Sequence, residues 1–182
     1  MKKTLTLLLG IVCTCLFMCC DKLPEDQAES WYGIEKGVIE YGDLGTLYFE
    51  DFGKQERYVM QNGDVLLYLI DKTIQLFPKT KEYKIMIEME KSYPSHYFGD
   101  ENSWLWAGQF KATKQEMNVL DKPCVVWVGS VNGKETKYGG WNRIIFIYEL
   151  QETGDYTATS IAEELPDGNL FGIPDDYTER TE

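Results

Sequence analysis

From residue 38 to residue 161 this chain repeats one pattern: a short apolar run, a turn, another apolar run. Two of the turns are Asn-Gly pairs, Asn62-Gly63 and Asn132-Gly133, each between such runs. Asn-Gly in that setting is a strong hairpin signal, because both central residues of a type I′ turn need a positive φ. In the first half the runs are residues 38–41, 45–51, 57–60, 64–70 and 73–77. In the second half they are 117–120, 124–131, 136–138, 141–150 and 156–161. A spacing of about ten residues with Gly-bearing turns predicts an antiparallel meander.

Two stretches break the pattern. Residues 81–91 alternate through Ile85, Ile87 and Met89 like a strand, yet their Glu, Met and Lys favour helix. Asn102-Ser103 is placed to cap a short helix over 104–110. The expected fold is therefore α+β and mainly β. It is one curved antiparallel sheet, an open half-barrel of about nine strands, with one or two helices on its concave side.

The chain opens with Met1-Lys2-Lys3 and an apolar stretch over 5–18 that ends at Cys19-Cys20-Asp21-Lys22. About fourteen residues are too few to span a bilayer, which takes about 20, and they fit a signal-peptide core. A signal ending at Cys suggests lipoprotein processing, in which the Cys thiol takes a diacylglycerol. Cys20 follows Phe17-Met18-Cys19, an untidy version of the small residues such processing wants, and Cys19 fits less well. Cys20 is thus the expected lipid anchor, with 1–19 as leader. An ordinary secreted protein and a retained transmembrane anchor are the alternatives.

The expected organisation continues with an acidic tether over 20–33, one domain over 34–174 and a frayed end over 175–182. The tether's acids loosely resemble a surface-export signal, and a plain solvated spacer fits equally well. The expected location is the envelope of a Gram-negative bacterium, lipid-anchored at the outer membrane. The partners are the membrane, through that anchor, and an unidentified hydrophobic ligand or protein. About 160 residues remain after the leader, enough to bury roughly 70% of the unfolded surface in one core.

Charge and chemistry narrow the function by exclusion. The chain holds 18 basic and 30 acidic residues, a net charge of −12. Removing 1–19 takes two Lys and lowers it to −14. Such a surface repels phosphate backbones, so no nucleic acid is expected. There is one His, His96, and no metal-ligand spacing, so neither metal nor cofactor is expected. Four of five cysteines lie in or at the end of the leader, which leaves Cys124 without an intramolecular partner. Its apolar setting reads as a buried, inert thiol. His96, the one possible base for it, sits in a loop-like Pro94-Ser95-His96-Tyr97. Gly139-Gly140 matches no phosphate-binding spacing and reads as a turn. The carboxylate pairs Glu35/Glu40, Glu50/Asp51, Glu88/Glu90 and Glu163/Glu164 are what thirty acids produce by chance. Asp175-Asp176 reads as a solvated charge run.

What remains is an aromatic excess, with five Trp and twelve Tyr. Trp104, Trp106, Phe110, Trp127 and Trp141 are the candidate hydrophobic-ligand contacts, since flat apolar rings suit lipid or sugar. The competing reading is that they fill a half-buried sheet.

The order of segments resembles an uncharacterised family of secreted or lipid-anchored bacterial proteins. The resemblance rests on Val38-Ile39-Glu40-Tyr41 and on 45–56, with its aromatic-acidic-aromatic-Gly-Lys element ending at Lys54. It continues in Leu120-Asp121-Lys122-Pro123-Cys124, where Asp121 replaces the usual Gly, in Thr157-Ala158-Thr159-Ser160-Ile161, and in Phe171-Gly172-Ile173-Pro174. It covers 36–60 and 117–174 and is weak across 80–112. That family is similar to the periplasmic lipoprotein carriers, an open half-barrel lined with apolar side chains and lidded by helices. The resemblance implies holding a lipid or acyl chain without chemistry. No functional residue of the carriers aligns here. The expected function is therefore hydrophobic-ligand binding by a lipid-anchored envelope protein that is not an enzyme. The alternative is an accessory interaction lipoprotein of a surface complex, its core filled by its own aromatics.

Overall fold

The structure is a computed structural model that describes residues 30–99, 107–149 and 155–180. Its strands in chain order are β1 (Gly37–Glu40), β2 (Gly45–Glu50), β3 (Gln55–Met60), β4 (Val65–Tyr68), β5 (Lys72–Phe77), β6 (Glu82–Glu88), β7 (Thr113–Val119), β8 (Lys122–Val131), β9 (Lys134–Trp141), β10 (Ile144–Glu149), β11 (Tyr156–Thr157), β12 (Ser160–Ala162) and β13 (Thr178–Glu179). They make two open sheets. The first runs β12-β1-β2-β3-β4-β5-β6-β13 and the second β11-β10-β9-β8-β7. Pairing is antiparallel except for β13, which lies parallel to β6.

The mainly β, antiparallel expectation holds. The single sheet of about nine strands does not: the described residues form thirteen strands divided between two sheets. Helix among the described residues is limited to two 3-10 turns, Gly42–Leu44 and Asp51–Gly53, and a helical turn at 107–109. The division has a visible cause in residues 156–161, which read as one strand. Tyr156–Thr157 pairs with β10, whereas Ser160–Ala162 pairs with β1. Between them Ala158 N–H donates to Phe146 O and Thr159 N–H to Glu40 O, each at 2.7 Å, so the chain steps from one sheet to the other. The ambiguous 81–91 stretch resolves as β6, because pairing with β5 overrides its helix propensity.

Both Asn-Gly pairs close hairpins, β3–β4 and β8–β9. Asn132 and Gly133 both have positive φ, as a type I′ turn requires. In the first hairpin only Gly63 does, and Asn62 Oδ1 instead accepts from Asp64 N–H. Gly139-Gly140 is no turn. Both residues lie within β9, and a Cβ on Gly140 would collide with Ile144 O of β10 and meet Phe98 at 2.9 Å. Glycine there lets the chain around Phe98 press onto the second sheet.

The eight-stranded sheet buries different faces at its two ends. Cross-strand register puts Ile39, Leu47, Phe49, Glu56, Tyr68 and Thr73 on one face. At the β1–β3 end that face packs on the second sheet, with Ile39, Leu47 and Phe49 against Val126, Ile144 and Phe146. At the β4–β6 end the opposite face is the buried one. There Val65, Leu67, Ile74 and Leu76 pack with Ile173 and Tyr177 of the C-terminal segment. This segment is not frayed. Arg57 Nη1 donates to Leu170 O, Thr178 N–H to Lys81 O and Arg180 N–H to Tyr83 O. Nor does the domain wait until residue 34, since Tyr32 is fully buried in the main core.

Leu66 and Leu67 are neighbours on β4 and face opposite ways, the first half-exposed and the second fully buried. Leu67→Ala is expected to lower unfolding stability by about 2–5 kcal/mol, and Leu66→Ala by well under half of that, as measured by urea denaturation. Equal losses would contradict the change of buried face.

Candidate functional site: a buried carboxylate where the sheets meet

Strand alternation turns Glu56 of β3 inward beside Phe49 and Tyr68, where it is fully buried. An ion there is tolerated only if it is paired and hydrogen-bonded. Four groups donate to its carboxylate. Tyr32 Oη and Ser95 Oγ bind Oε1 at 2.5 and 3.1 Å. Lys91 Nζ and the Ser95 backbone N–H bind Oε2, both at 2.7 Å. Lys91, its side chain 9% exposed, also donates to Gly53 O at 2.9 Å and lies 5.5 Å from the Trp31 ring. Burial pushes the Lys91 ammonium below its ordinary pKa, and the Glu56 charge pulls it back up. Burial, then the Glu56 charge, raises the Tyr32 phenol well above its ordinary value. The same two causes raise Tyr68 to about 12.

Next to Glu56 lies His96. Its ring stacks on Tyr41 at 5.2 Å, with Tyr58 at 5.1 Å and Tyr156 at 6.0 Å. Burial holds the imidazole below its ordinary pKa, so it is neutral at pH 7. The hydrogen-bond network assigns its tautomer. An ionised carboxylate only accepts, so the one Ser95 hydroxyl proton goes to Glu56. The 2.8 Å contact between Ser95 Oγ and His96 Nδ1 is then an Nδ1–H donating to oxygen. Nucleophilic catalysis needs the reverse, an imidazole nitrogen taking the serine proton. Ser95 and His96 are adjacent, and their side chains are 2.8 Å apart.

The cluster ties four pieces of chain together. Tyr32 belongs to the entering segment, whose Tyr32 N–H donates to Phe52 O. Glu56 belongs to the first sheet. Lys91 and Ser95 belong to the connection after β6. That connection then docks on the second sheet, where Ile145 N–H donates to His96 O and Phe98 N–H to Arg143 O.

Of the aromatic residues singled out in the sequence, the described ones are not brought to one groove. Trp104, Trp106 and Cys20, the expected anchor, lie outside the described residues. Phe110 and Trp127 pack together on the outer face of the second sheet, with Phe98, Tyr138 and Ile145. Trp141 lies on the opposite face of that sheet, in the main core, with its ring edge-on to Phe146 and Lys122 Nζ 4.4 Å above it. Cys124 is buried, and burial pushes its thiol up to about 11, which makes it inert at neutral pH. No group of three or more His, Cys, Asp or Glu among the described residues has a metal-holding arrangement. Of the acidic pairs, Glu88/Glu90 and Glu163/Glu164 are exposed, and Asp176 pairs with Lys81 at 2.7 Å.

Glu56 itself escapes sequence reading. It is one of thirty acids, and its strand reads from Arg57 onward when apolar residues are the guide. The one usable signal was the shared parity of Glu56 and Tyr58 with an inward face.

No family model matches the chain, and no curated protein matches it either. Among solved structures it is similar to an uncharacterized conserved protein from Thermus thermophilus, at 12% identity and a TM-score of 0.50. The match covers 85% of this chain and 96% of that one, and it shows a shared fold alone.

Removing one partner of a buried pair leaves an uncompensated charge, so Glu56→Gln is expected to cost about 3–5 kcal/mol. Glu56→Gln combined with Lys91→Met should recover much of that loss in a denaturation double-mutant cycle, and simple additivity would contradict the pairing. A second outcome concerns pH. The folded-state pKa of His96 is depressed, so below about 6.5 the unfolded chain takes a proton there that the folded chain refuses. Wild type should therefore lose stability relative to His96→Gln as pH falls from about 7 to about 5, read as the difference in urea midpoints. A constant difference would contradict the burial of His96.

Proposed function

We propose that this chain is a non-catalytic, lipid-anchored protein of a Gram-negative cell envelope, held at the outer membrane through Cys20, and that its domain is an interaction module. The leader and its terminal Cys support the anchor, as does the resemblance to lipid-anchored proteins. The observation that carries the interaction reading is the division of the aromatic residues. Phe110 and Trp127 pack on one face of the second sheet and Trp141 on the other, so they serve as core and do not wall a shared cleft. The reversed tautomer at Ser95 and His96 supports a domain without nucleophilic catalysis.

A second reading keeps the half-barrel carrier. It is favoured by the inner face of β4 and β5, where Leu66, Tyr68, Thr73 and Gln75 stay half-exposed beyond the part of the sheet that the second sheet covers. A lipid or acyl chain held against that face is the ligand this reading needs.

Native mass spectrometry of residues 21–182, purified without detergent from a Gram-negative host, separates the two. The interaction reading expects the bare protein mass and no uptake of added phospholipid. A co-purifying lipid lost on denaturation would contradict it and favour the carrier. In the full chain, Cys20→Ser should abolish fatty-acid labelling, and retained labelling would contradict the anchor.

A further inference from the structure

Five of the six exposed large hydrophobic side chains among the described residues gather at one end of the first sheet: Ile70, Met86, Ile87, Met89 and Tyr93. Three belong to β6 and its exit, Met86 at 49%, Ile87 at 50% and Met89 at 64% exposure. Clustered exposed apolar residues mark interaction surfaces, and an uncovered strand edge is a template for another strand. β6 is such an edge. β5 pairs along its inner side from Glu82 to Glu88, but on its outer side β13 pairs with Glu82 and Tyr83, and the register sets Arg180 beside Lys84, with its N–H bonded to Tyr83 O. From Ile85 onward no described strand lies against it.

The spacing of the uncovered hydrogen-bonding groups selects the partner. Lys81 O and Tyr83 O accept from Thr178 and Arg180 N–H, so the odd residues of β6 turn their backbone groups outward. Ile85 continues that series. A bulge then intervenes, with Ile85 opposite Ile74 and Ile87 opposite Thr73, so Met86 is an extra residue. The bulge resets the alternation, and the next outward groups belong to Glu88. Ile85 and Glu88 are three residues apart, whereas a regular strand presents outward groups every second residue. A regular strand therefore matches one of the two positions and misses the other.

We infer that this edge pairs with the β6 edge of a second copy of the chain, running antiparallel. The inference rests on the interaction reading above and names its partner. A two-fold axis between Met86 and Ile87 sets Ile85 of each copy opposite Glu88 of the other, and both sets of outward groups meet. The faces agree as well. Ile85 shares a face with Ile74, and Glu88, opposite Lys72, shares it too. Met86 and Ile87 of the two copies meet around the axis and cover each other's apolar surface. The bulge keeps the paired stretch short, so the contact depends on concentration. An anchor that confines the chain to a membrane raises that concentration.

The test uses the full chain in a Gram-negative host, with Ile87→Cys near the axis and mild oxidation of membranes before a non-reducing gel. The unmodified chain gives the background. A band at twice the chain's mass is expected. Glu88→Pro should remove it, since that N–H points outward and no β5 bond is lost. Met86→Glu, at an exposed position, should remove it by placing acids at the axis, and it serves where the proline variant does not fold. Absence of the band in the Ile87→Cys chain overturns the inference, as does a band unchanged by both variants or a cross-link to a different protein. Fatty-acid labelling and bound lipid are read on the same preparations. A labelled, lipid-free monomer therefore removes this inference alone, and a lipid-loaded chain removes the interaction reading.

Discussion

The Glu56–Lys91 pair is the contact around which this fold is assembled. A carboxylate with no exposed surface must find donors, and four reach it from two separate stretches of chain, the entering segment at Tyr32 and the connection at Lys91 and Ser95. Lys91 and Ser95 hold the start of a connection whose continuation, through His96 and Phe98, is hydrogen-bonded to β10. The connection between the sheets is thus fixed to the first by ion pairing and to the second by backbone bonds. Such a pair adds little net stability compared with a well-packed apolar group, but it tolerates no half measures. With both partners present it holds the start of the connection against β3.

That arrangement leaves the first sheet with more length than the second can cover. At β1–β3 the inner face is sealed by the second sheet. Beyond β3 the burial changes sides, and the C-terminal segment covers the back of β4–β6. Among the described residues, the packing leaves the inner face of β4 and β5 half-exposed and the outer edge of β6 unpaired beyond β13. Phe110, Trp127 and Trp141 of the second sheet are by contrast partly buried against its two clusters.

The legible part of the fold was local. The Asn132-Gly133 turn, the strands over 45–51 and 73–77, and the burial of Cys124 follow from turn chemistry and apolar runs. The division into two sheets was not legible, because 156–161 carries one continuous β pattern while its two halves pair with different sheets. The turn at Asn142-Arg143 adopts φ of 49° and 61° without a glycine to announce it. β13 was hidden in a polar tail because its pairing is made by backbone groups. The site was the least legible part. An apolar-pattern reading looks for Trp and Phe, and here the organising residues are a Glu, a Lys, a Ser and a Tyr scattered over 32–95. Only the register of β3 against β2 and β4 turns Glu56 inward.

Native-state hydrogen exchange at the Ser95 amide measures most directly whether the Glu56 cluster holds the sheets together. Ser95 is itself exposed and lies in a connection without regular structure, so an unconstrained amide there would exchange quickly. Its N–H is bound at 2.7 Å to the buried Glu56 carboxylate. The predicted result is exchange as slow as that of the buried amides of β2 and β8, with opening only when the sheets separate. Exchange at the rate of the exposed hairpin tip at Gly63 would show that the Glu56 cluster does not hold the two sheets together.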